Sequence, residues 1–405
     1  MTRQEYIIEN LSGKCVVLGI TGGIAAYKMA NTASALKKCG ADVHVIMTKN
    51  AANFITPITF ETLTGHKCLI DTFDRNFQYD VTHISLAKAA DLILIAPATA
   101  DIIAKMANGI ADDMLTTVVL AAKCKKLVAP SMNTAMLENP ITVDNIEKLR
   151  HYGFGIIEPA EGLLACRDTG KGKLPETEVL MDHIMREIAF PHDLAGVKVT
   201  VTAGPTQEAL DPVRYLTNHS SGKMGYAIAR RAMLRGADVT LISGQVALDP
   251  VPFVKMVSIV SALDMFNAVK EALPNTDILI KAAAVADYRP ATVAEDKIKK
   301  KDGDLTIPLE RTDDIIGWCS QHRHPGLFLC GFSMETRDMV ENSRAKLTKK
   351  GLDMIAANNV KVEGAGFGVS TNVLTLITPD SVRELPLMSK DDAAGVLLDQ
   401  IMARR

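Results

Sequence analysis

No Cys-x-x-Cys pair occurs in the 405-residue chain, and the cysteines (Cys15, Cys39, Cys68, Cys124, Cys166, Cys319 and Cys330) number seven, at loose spacing. A disulfide framework or a zinc knuckle needs pairs at tight intervals, so the thiols read as reduced and mostly buried, in a cytoplasmic protein. There is no His-Glu-x-x-His, and His322-x-His324 has no carboxylate at ligand spacing, so no metal motif is legible. No apolar run approaches the roughly 20 residues that span a bilayer. Residues Met1–Gly13 mix charges of both signs without the apolar core of a signal segment, so no membrane is expected. Nor is there a basic surplus: 45 Lys plus Arg against 47 Asp plus Glu leave a net charge of −2, which excludes a nucleic-acid coat. What remains is 47% apolar and 23% charged, ample for a sizeable core, and the length suggests about two or three domains.

The strongest internal signal is an echo. An apolar strand (Cys15–Ile20), a Thr21-Gly22-Gly23 turn and a helix to Lys38 precede Gly40-Ala41-Asp42-Val43 and a second strand. A strand (Val197–Thr202), a Gly204-Pro205 loop, a longer excursion and a helix (Gly225–Arg235) precede Gly236-Ala237-Asp238-Val239 in the same way. Each glycine just past a helix predicts a left-handed cap, and the Val/Ile runs predict buried parallel strands. Further strands end in Pro97-Ala98-Thr99-Ala100-Asp101 and Ser131-Met132-Asn133-Thr134 in the first half. In the second they end in Ala282–Asp287 and, after Leu327–Gly331, in Phe332–Glu335. Alternating strands and helices predict two α/β domains with doubly wound parallel sheets, whether by duplication or by similar architecture alone. The boundary falls at 190/191, within Phe190-Pro191-His192-Asp193, because proline cannot continue the preceding helix.

Ligands in such sheets bind outside the carboxyl ends of the strands. Thr21-Gly22-Gly23-Ile24 offers backbone N–H groups to a phosphate, but the glycines at 19, 22 and 23 do not make G-x-G-x-x-G. The next strand ends Met47-Thr48-Lys49, with no acid for a ribose 2′-hydroxyl. That pattern suits a mononucleotide such as FMN better than a nicotinamide dinucleotide, and no Walker A motif occurs. Two segments resist a core assignment. Residues 159–173, rich in glycine and carrying Cys166, read as a mobile lid or a linker; Lys297-Ile298-Lys299-Lys300-Lys301 reads as a solvated face or a triphosphate clamp.

Together, certain motifs resemble a known family. Gly19-Ile20-Thr21-Gly22-Gly23-Ile24-Ala25-Ala26-Tyr27-Lys28, Ala96–Asp101 and Pro130-Ser131-Met132-Asn133 are similar to flavin-dependent cysteine decarboxylases. Asp211-Pro212-Val213-Arg214-Tyr215, Asn218-His219-Ser220-Ser221-Gly222-Lys223-Met224-Gly225 and Ala283–Tyr288 complete a resemblance to the bacterial bifunctional phosphopantothenoylcysteine decarboxylase/phosphopantothenate–cysteine ligases. It runs from about residue 12 to 400, and the Asn218–Gly225 run is its most specific part.

The resemblance implies two Rossmann-like domains, the first (1–190) a flavodoxin-like decarboxylase and the second (191–405) a CTP-dependent ligase. In the first, FMN would contact Thr21, Gly22, Gly23, Ile24, Thr48, Pro97 and Thr99. A cysteine carboxylate has no electron sink, and oxidation of the substrate thiol by the flavin would create one. Cys166 would be the proton donor, His83 the active-site histidine and Asn133 the carboxylate ligand. In the second, phosphopantothenate would attack CTP to give an acyl-cytidylate, which cysteine then opens. Lys297 would lie over the triphosphate and Asn218 at the intermediate. CTP would be recognised by Lys281, Ala282, Ala283, Asp287, Asp313, Asp314, Ile315, Ile316, Phe332, Lys346 and Lys350. Mg²⁺ would be held mainly through nucleotide phosphates, its protein ligands being unspecified. A homo-oligomer is also implied, a dodecamer of decarboxylase trimers with paired ligase domains. Arg167 after Cys166, Lys173-Leu174 after Gly172, and Lys281 depart from the family's pattern. Some relatives of the decarboxylase domain are non-catalytic flavin-binding regulators; the complete ligase half argues against that alternative.

Overall fold

The computed structural model describes residues 11–72, 82–163, 165, 168–300, 305–335, 338–359, 366 and 368–405. They form two compact units, divided between Pro191 and His192.

The first unit is built on β1 (Cys15–Ile20), β2 (Asp42–Met47), β3 (Leu92–Ala98), β4 (Lys125–Pro130) and β5 (Gly155–Ile156), all parallel, in the order β2-β1-β3-β4-β5. Every residue of β1 and β3 is buried, as expected for strands covered by helices on both faces. The order reverses between β1 and β3, and it is the flavodoxin-like order, in which a mononucleotide sits at that reversal. Gly40, just past helix Met29–Lys38, has φ +81°, so the first glycine-capped turn forms as expected. Thr99 caps helix Ala100–Ala107 by accepting from Ile102 N–H at 3.4 Å, and that fixes where β3 ends.

Residues 159–173 differ from the loop expected of them. β6 (Ala160–Leu163) and β7 (Thr169–Lys173) form an antiparallel hairpin. Its alternation was invisible because Gly162, Gly170 and Gly172 carry no side chains. Close approach selects two of these glycines. A Cβ on Gly170 would lie 2.6 Å from Thr134 Oγ1, and one on Gly172 (φ +130°) would lie 2.1 Å from the Met132 carbonyl oxygen.

The second unit contains β8 (Lys198–Ala203), a small antiparallel pair β9 (Gln207–Ala209) and β10 (Tyr215–Thr217), β11 (Asp238–Ser243), β12 (Lys255–Ser258) and β13 (Ile278–Lys281). A second antiparallel pair, β14 (Tyr288–Pro290) with β15 (Leu309–Arg311), precedes β16 (Phe328–Glu335) and β17 (Met354–Asn359). β18 (Thr371–Asn372), β19 (Leu374–Ile377), β20 (Val382–Glu384) and β21 (Met388–Ser389) end the chain's strands. The main sheet runs β12-β11-β8-β13-β16-β17-β19-β20. Its first six strands are parallel and repeat the dinucleotide-fold order, whereas β19 joins antiparallel. Here the reversal lies between β8 and β13.

β16 is longer than its sequence suggests. Phe332–Glu335, expected as a loop after the strand, continue it, paired with Ala356–Asn359 of β17. Ser333 meets Ser343 through a 2.7 Å hydroxyl contact, so a polar residue inside the strand is satisfied rather than turned out. Gly236 adopts φ +88°, matching Gly40. Among the described residues no helix is long and apolar enough to cross a membrane.

Candidate active sites

In the first unit the reversal is knitted by one hydroxyl and one backbone bond. Buried Thr21 donates from Oγ1 to the Pro97 carbonyl at 2.6 Å, and accepts from Thr99 N–H at 3.1 Å. Thr48 N–H donates to Ile20 O at 3.0 Å, so the ends of β1, β2 and β3 are locked together. A Cβ on Gly22 would lie 2.4 Å from Asn50 Cβ, so this position requires glycine. A Cβ on Gly23 would sit 3.8 Å from Thr99 Cγ2 and 3.9 Å from Pro97 Cγ; it would fill the cleft between the two loops without clashing. No side chain caps the helical turn Ile24–Lys28. Ile24 and Tyr27 beside it are 57% and 56% exposed. Open backbone for a phosphate next to exposed apolar side chains for a flat ring is the chemistry a flavin mononucleotide requires, and the residues fit it.

Asn133 follows β4 and starts helix Thr134–Leu137, its side-chain oxygen accepting from Ala135 N–H at 2.8 Å. The β6–β7 hairpin docks on the same segment. Met132 N–H donates to Gly172 O at 3.0 Å, and Thr134 Oγ1 donates to Lys171 O at 2.8 Å. Cys166 lies outside the described residues, but β7, the strand after it, is held against the Asn133 turn and carries β6 with it. His83 is half-buried on helix Thr82–Ala89. Lys173 and Leu174, the departures from the family pattern, have local roles: Lys173 pairs with Glu176 at 3.3 Å and Leu174 is buried.

The second unit's reversal is tied by three threonines, of which Thr312 gave no signal in the sequence. Thr202 Oγ1 accepts from Ala283 N–H at 3.2 Å, and Thr206 Oγ1 accepts from Ala286 N–H at 3.0 Å. Thr312 Oγ1 donates to Ala286 O at 2.6 Å. Exposed Asn218 joins this clasp by donating Nδ2–H to Ala284 O at 3.1 Å. Gly204, Gly222 and Gly225 together do the work of a split glycine fingerprint. Gly204 (φ +73°) and Gly222 (φ +76°) touch, and a Cβ on Gly225 would lie 2.5 Å from Ala203 Cβ. Residues 205–221 interrupt the motif, which hid its spacing. The 12-residue helix Lys223–Leu234 therefore starts at the reversal with no side-chain cap. β11 ends in Ser243, whose hydroxyl donates to Gly244 O, so no acid is placed for a dinucleotide ribose.

Lys297 is exposed, and its neighbour anchors the loop. Ile298 N–H donates to Asp211 Oδ2 at 3.1 Å, while Arg214 bonds both Ile298 O, at 2.7 Å, and Asp211. The Arg214 side chain, aided by three backbone N–H groups and opposed by burial, holds the Asp211 carboxyl well below the usual range. The Asp-Pro-Val-Arg run is thus a clamp for the Lys297 segment. Lys301 lies outside the described residues.

The remaining nucleotide candidates divide into two groups. Lys281 ends β13 near Lys350, Asp314 and Asp287. Burial first, then the Lys350 charge, holds its ammonium below the usual lysine range, with the two aspartates opposing. Lys350 pairs with Asp314 at 3.0 Å, and Asp314 also accepts from Gly317 N–H at 3.2 Å. Asp287, Asp313 and Lys346 are exposed, the last one helical turn before Lys350. Ile315 and Ile316 are different: both side chains are buried in the unit's core, because helix Ile315–Gln321 packs its apolar face there. Only their backbone can meet a ligand. Likewise Ala282 and Ala283 N–H groups are engaged by Thr202, and Phe332 is half-buried within β16.

Comparison with known proteins agrees with this two-part architecture. The family described as Flavoprotein matches residues 7–189, and the family described as DNA/pantothenate metabolism flavoprotein C-terminal domain matches residues 194–404. The class is thus a flavoprotein-type unit followed by a pantothenate-metabolism unit. The coenzyme A biosynthesis bifunctional protein CoaBC of Bacillus subtilis (strain 168) is 46% identical over 399 residues, covering 97% of this chain and 98% of that one. Its counterpart in Escherichia coli (strain K12) is 42% identical over 398 residues, covering 98% of each. The chain belongs to the family of coenzyme A biosynthesis bifunctional proteins.

Proposed function

We propose that the chain performs two consecutive steps of coenzyme A biosynthesis in the cytoplasm. The second unit couples cysteine to 4′-phosphopantothenate at the expense of CTP. The first then decarboxylates 4′-phosphopantothenoylcysteine to 4′-phosphopantetheine. The observation that carries this reading is that bifunctional relatives match 97–98% of the chain. The polar cleft at the sheet reversal of each unit supports it.

FMN is held by Thr21, Gly22, Gly23, Ile24, Thr48, Pro97 and Thr99. When bound, the flavin supplies the hydride acceptor and donor for the carbon bearing the substrate's sulfur. Asn133 binds the substrate carboxylate. Its oxygen is engaged by Ala135 N–H, so the amide offers a carboxylate the donor polarity it needs. His83 handles a proton at the thiol, and Cys166 delivers one to the carbon that carbon dioxide leaves.

In the second unit Lys297 lies over the triphosphate as a point charge, and Lys281, Asp287, Asp313, Asp314, Phe332, Lys346 and Lys350 surround the nucleotide. Ala282, Ala283, Ile315 and Ile316 contribute backbone. Mg²⁺, which would be held mainly through the nucleotide phosphates, would supply charge neutralisation for the leaving pyrophosphate. Asn218 positions the acyl-cytidylate for attack by the cysteine amine. The assembly is a homo-oligomer, a dodecamer of decarboxylase trimers with paired ligase units.

Two variants test the division of labour. Cys166→Ser should lower 4′-phosphopantetheine formation by about 100-fold or more, the scale of a lost general acid, the reaction stalling after carbon dioxide has left, while CMP release is unchanged. Asn218→Ala should do the reverse, sparing decarboxylation of supplied 4′-phosphopantothenoylcysteine. Joint loss of both activities in either variant would contradict the assignment.

A further inference from the structure

The N-terminal edge of the first sheet, at the opposite ends of the strands from the cleft described above, gathers a second set of reactive side chains. Parallel pairing puts Cys15, the first residue of β1, directly beside Asp42, the first of β2. His44 follows two residues along β2, on the same face of the strand as Asp42. One ligand atom each from Cys15, Asp42 and His44 lie within 4.8 Å of one another. A tetrahedral ion with bonds of about 2.0–2.3 Å sets its ligand atoms roughly 3.3–3.7 Å apart, so small side-chain movements close the set.

A fourth side chain braces it. His44 Nε2 faces Asp42 Oδ2 at 3.1 Å, whereas His66 Nε2 meets the other carboxylate oxygen, Oδ1, at 2.7 Å. The two imidazoles stack with centroids 4.1 Å apart and planes 18° apart. His66 thus fixes both the carboxylate and the His44 ring, the relation an outer partner has to a metal's own ligands. Cys15 is held from behind, its N–H donating to Asp91 Oδ2 at 2.8 Å. The Asp42 side chain is 51% exposed, so an ion and a water ligand can enter from solvent.

We propose that Cys15, Asp42 and His44 form a zinc site at this edge, with His66 as the carboxylate's second partner and water in the fourth position. One thiolate, one imidazole and one carboxylate in tetrahedral array are a zinc donor set, too soft for Mg²⁺ or Ca²⁺. Binding replaces the thiol proton, which passes to solvent. The ion would join β1 to β2, and through His66 the turn after helix Pro57–Thr64, at a place remote from the decarboxylation chemistry. Its role is then structural.

Cobalt(II) and zinc(II) salts added to the purified full-length protein test this. Stoichiometric Co²⁺ should give the intense visible d–d bands of a tetrahedral site, read to the red of flavin absorption, and Zn²⁺ should bleach them. Cys15→Ser should abolish or shift the bands, and His44→Gln should remove tight binding. His66→Asn should weaken binding by about 10- to 100-fold, the usual effect of losing an outer partner. Zn²⁺ at about 100 times its Kd should also raise the Tm of the wild-type first unit by about 5 °C or more. Should Cys15→Ser fail to fold, the half-exposed His44→Gln and His66→Asn decide. Absence of tetrahedral bands in the wild type, or bands that persist unchanged in the His44 variant, would overturn the proposal.

Discussion

Gly172→Ala is expected to abolish decarboxylation and leave amide formation intact. The position has φ +130°, where side chains are strained, and an added Cβ would lie 2.1 Å from the Met132 carbonyl oxygen. That carbonyl cannot yield easily, because the neighbouring Met132 N–H donates to Gly172's own carbonyl at 3.0 Å. The strain is relieved only by lifting β7 from the Ser131–Thr134 turn, which separates the Cys166 hairpin from Asn133. A displacement of about 1 Å between reacting groups costs on the order of 100-fold in rate. Carbon dioxide release from supplied 4′-phosphopantothenoylcysteine should fall at least that far, with CMP release from CTP at the wild-type rate. A wild-type decarboxylation rate would show that the hairpin's docking does not position the chemistry.

The mirror-image result is expected from Gly244→Ala. A Cβ there would stand 1.9 Å from the Pro205 carbonyl oxygen, and Gly244 N–H is itself bonded to Ala203 O at 3.0 Å. The loop Gly204–Thr206 must then move. That loop pairs with Ala284 and, through Thr206 Oγ1, holds Ala286 N–H, so the Ala282–Asp287 turn moves with it. Asn218, bonded to Ala284 O, loses its partner's position. CMP formation should drop by about 100-fold on the same positional argument, while supplied 4′-phosphopantothenoylcysteine is decarboxylated normally. Equal damage to both reactions would mean that the two clefts do not work separately.

The parts of this arrangement that could be read in the sequence are the local ones. β1 announces itself as six consecutive buried residues, and Gly40 and Gly236 mark helix ends because only a left-handed cap explains glycine there. The Thr21-Gly22-Gly23 loop was visible as a glycine pair between a buried strand and a helix, and at Gly22 close approach to Asn50 demands it. The fingerprint Gly204…Gly222-x-x-Gly225 was not, since an insertion separates residues that touch in space. The β6–β7 hairpin was hidden because its register rests on backbone approach at Gly170 and Gly172, not on an apolar alternation. Ile315 and Ile316 illustrate a different limit: a motif match named them without showing that their side chains face the core and leave only backbone for a ligand. Cys15 and His44 gave no signal at all. Metal spacing in sequence registers only ligands close along the chain, whereas these meet through parallel strand pairing.

The central claim is that one chain carries both reactions, and product stoichiometry tests it most directly. The purified full-length protein, given 4′-phosphopantothenate, cysteine, CTP and Mg²⁺, should release CMP, pyrophosphate and carbon dioxide in equal amounts as 4′-phosphopantetheine accumulates. CMP without carbon dioxide, or no nucleotide turnover while supplied 4′-phosphopantothenoylcysteine is still decarboxylated, would contradict it.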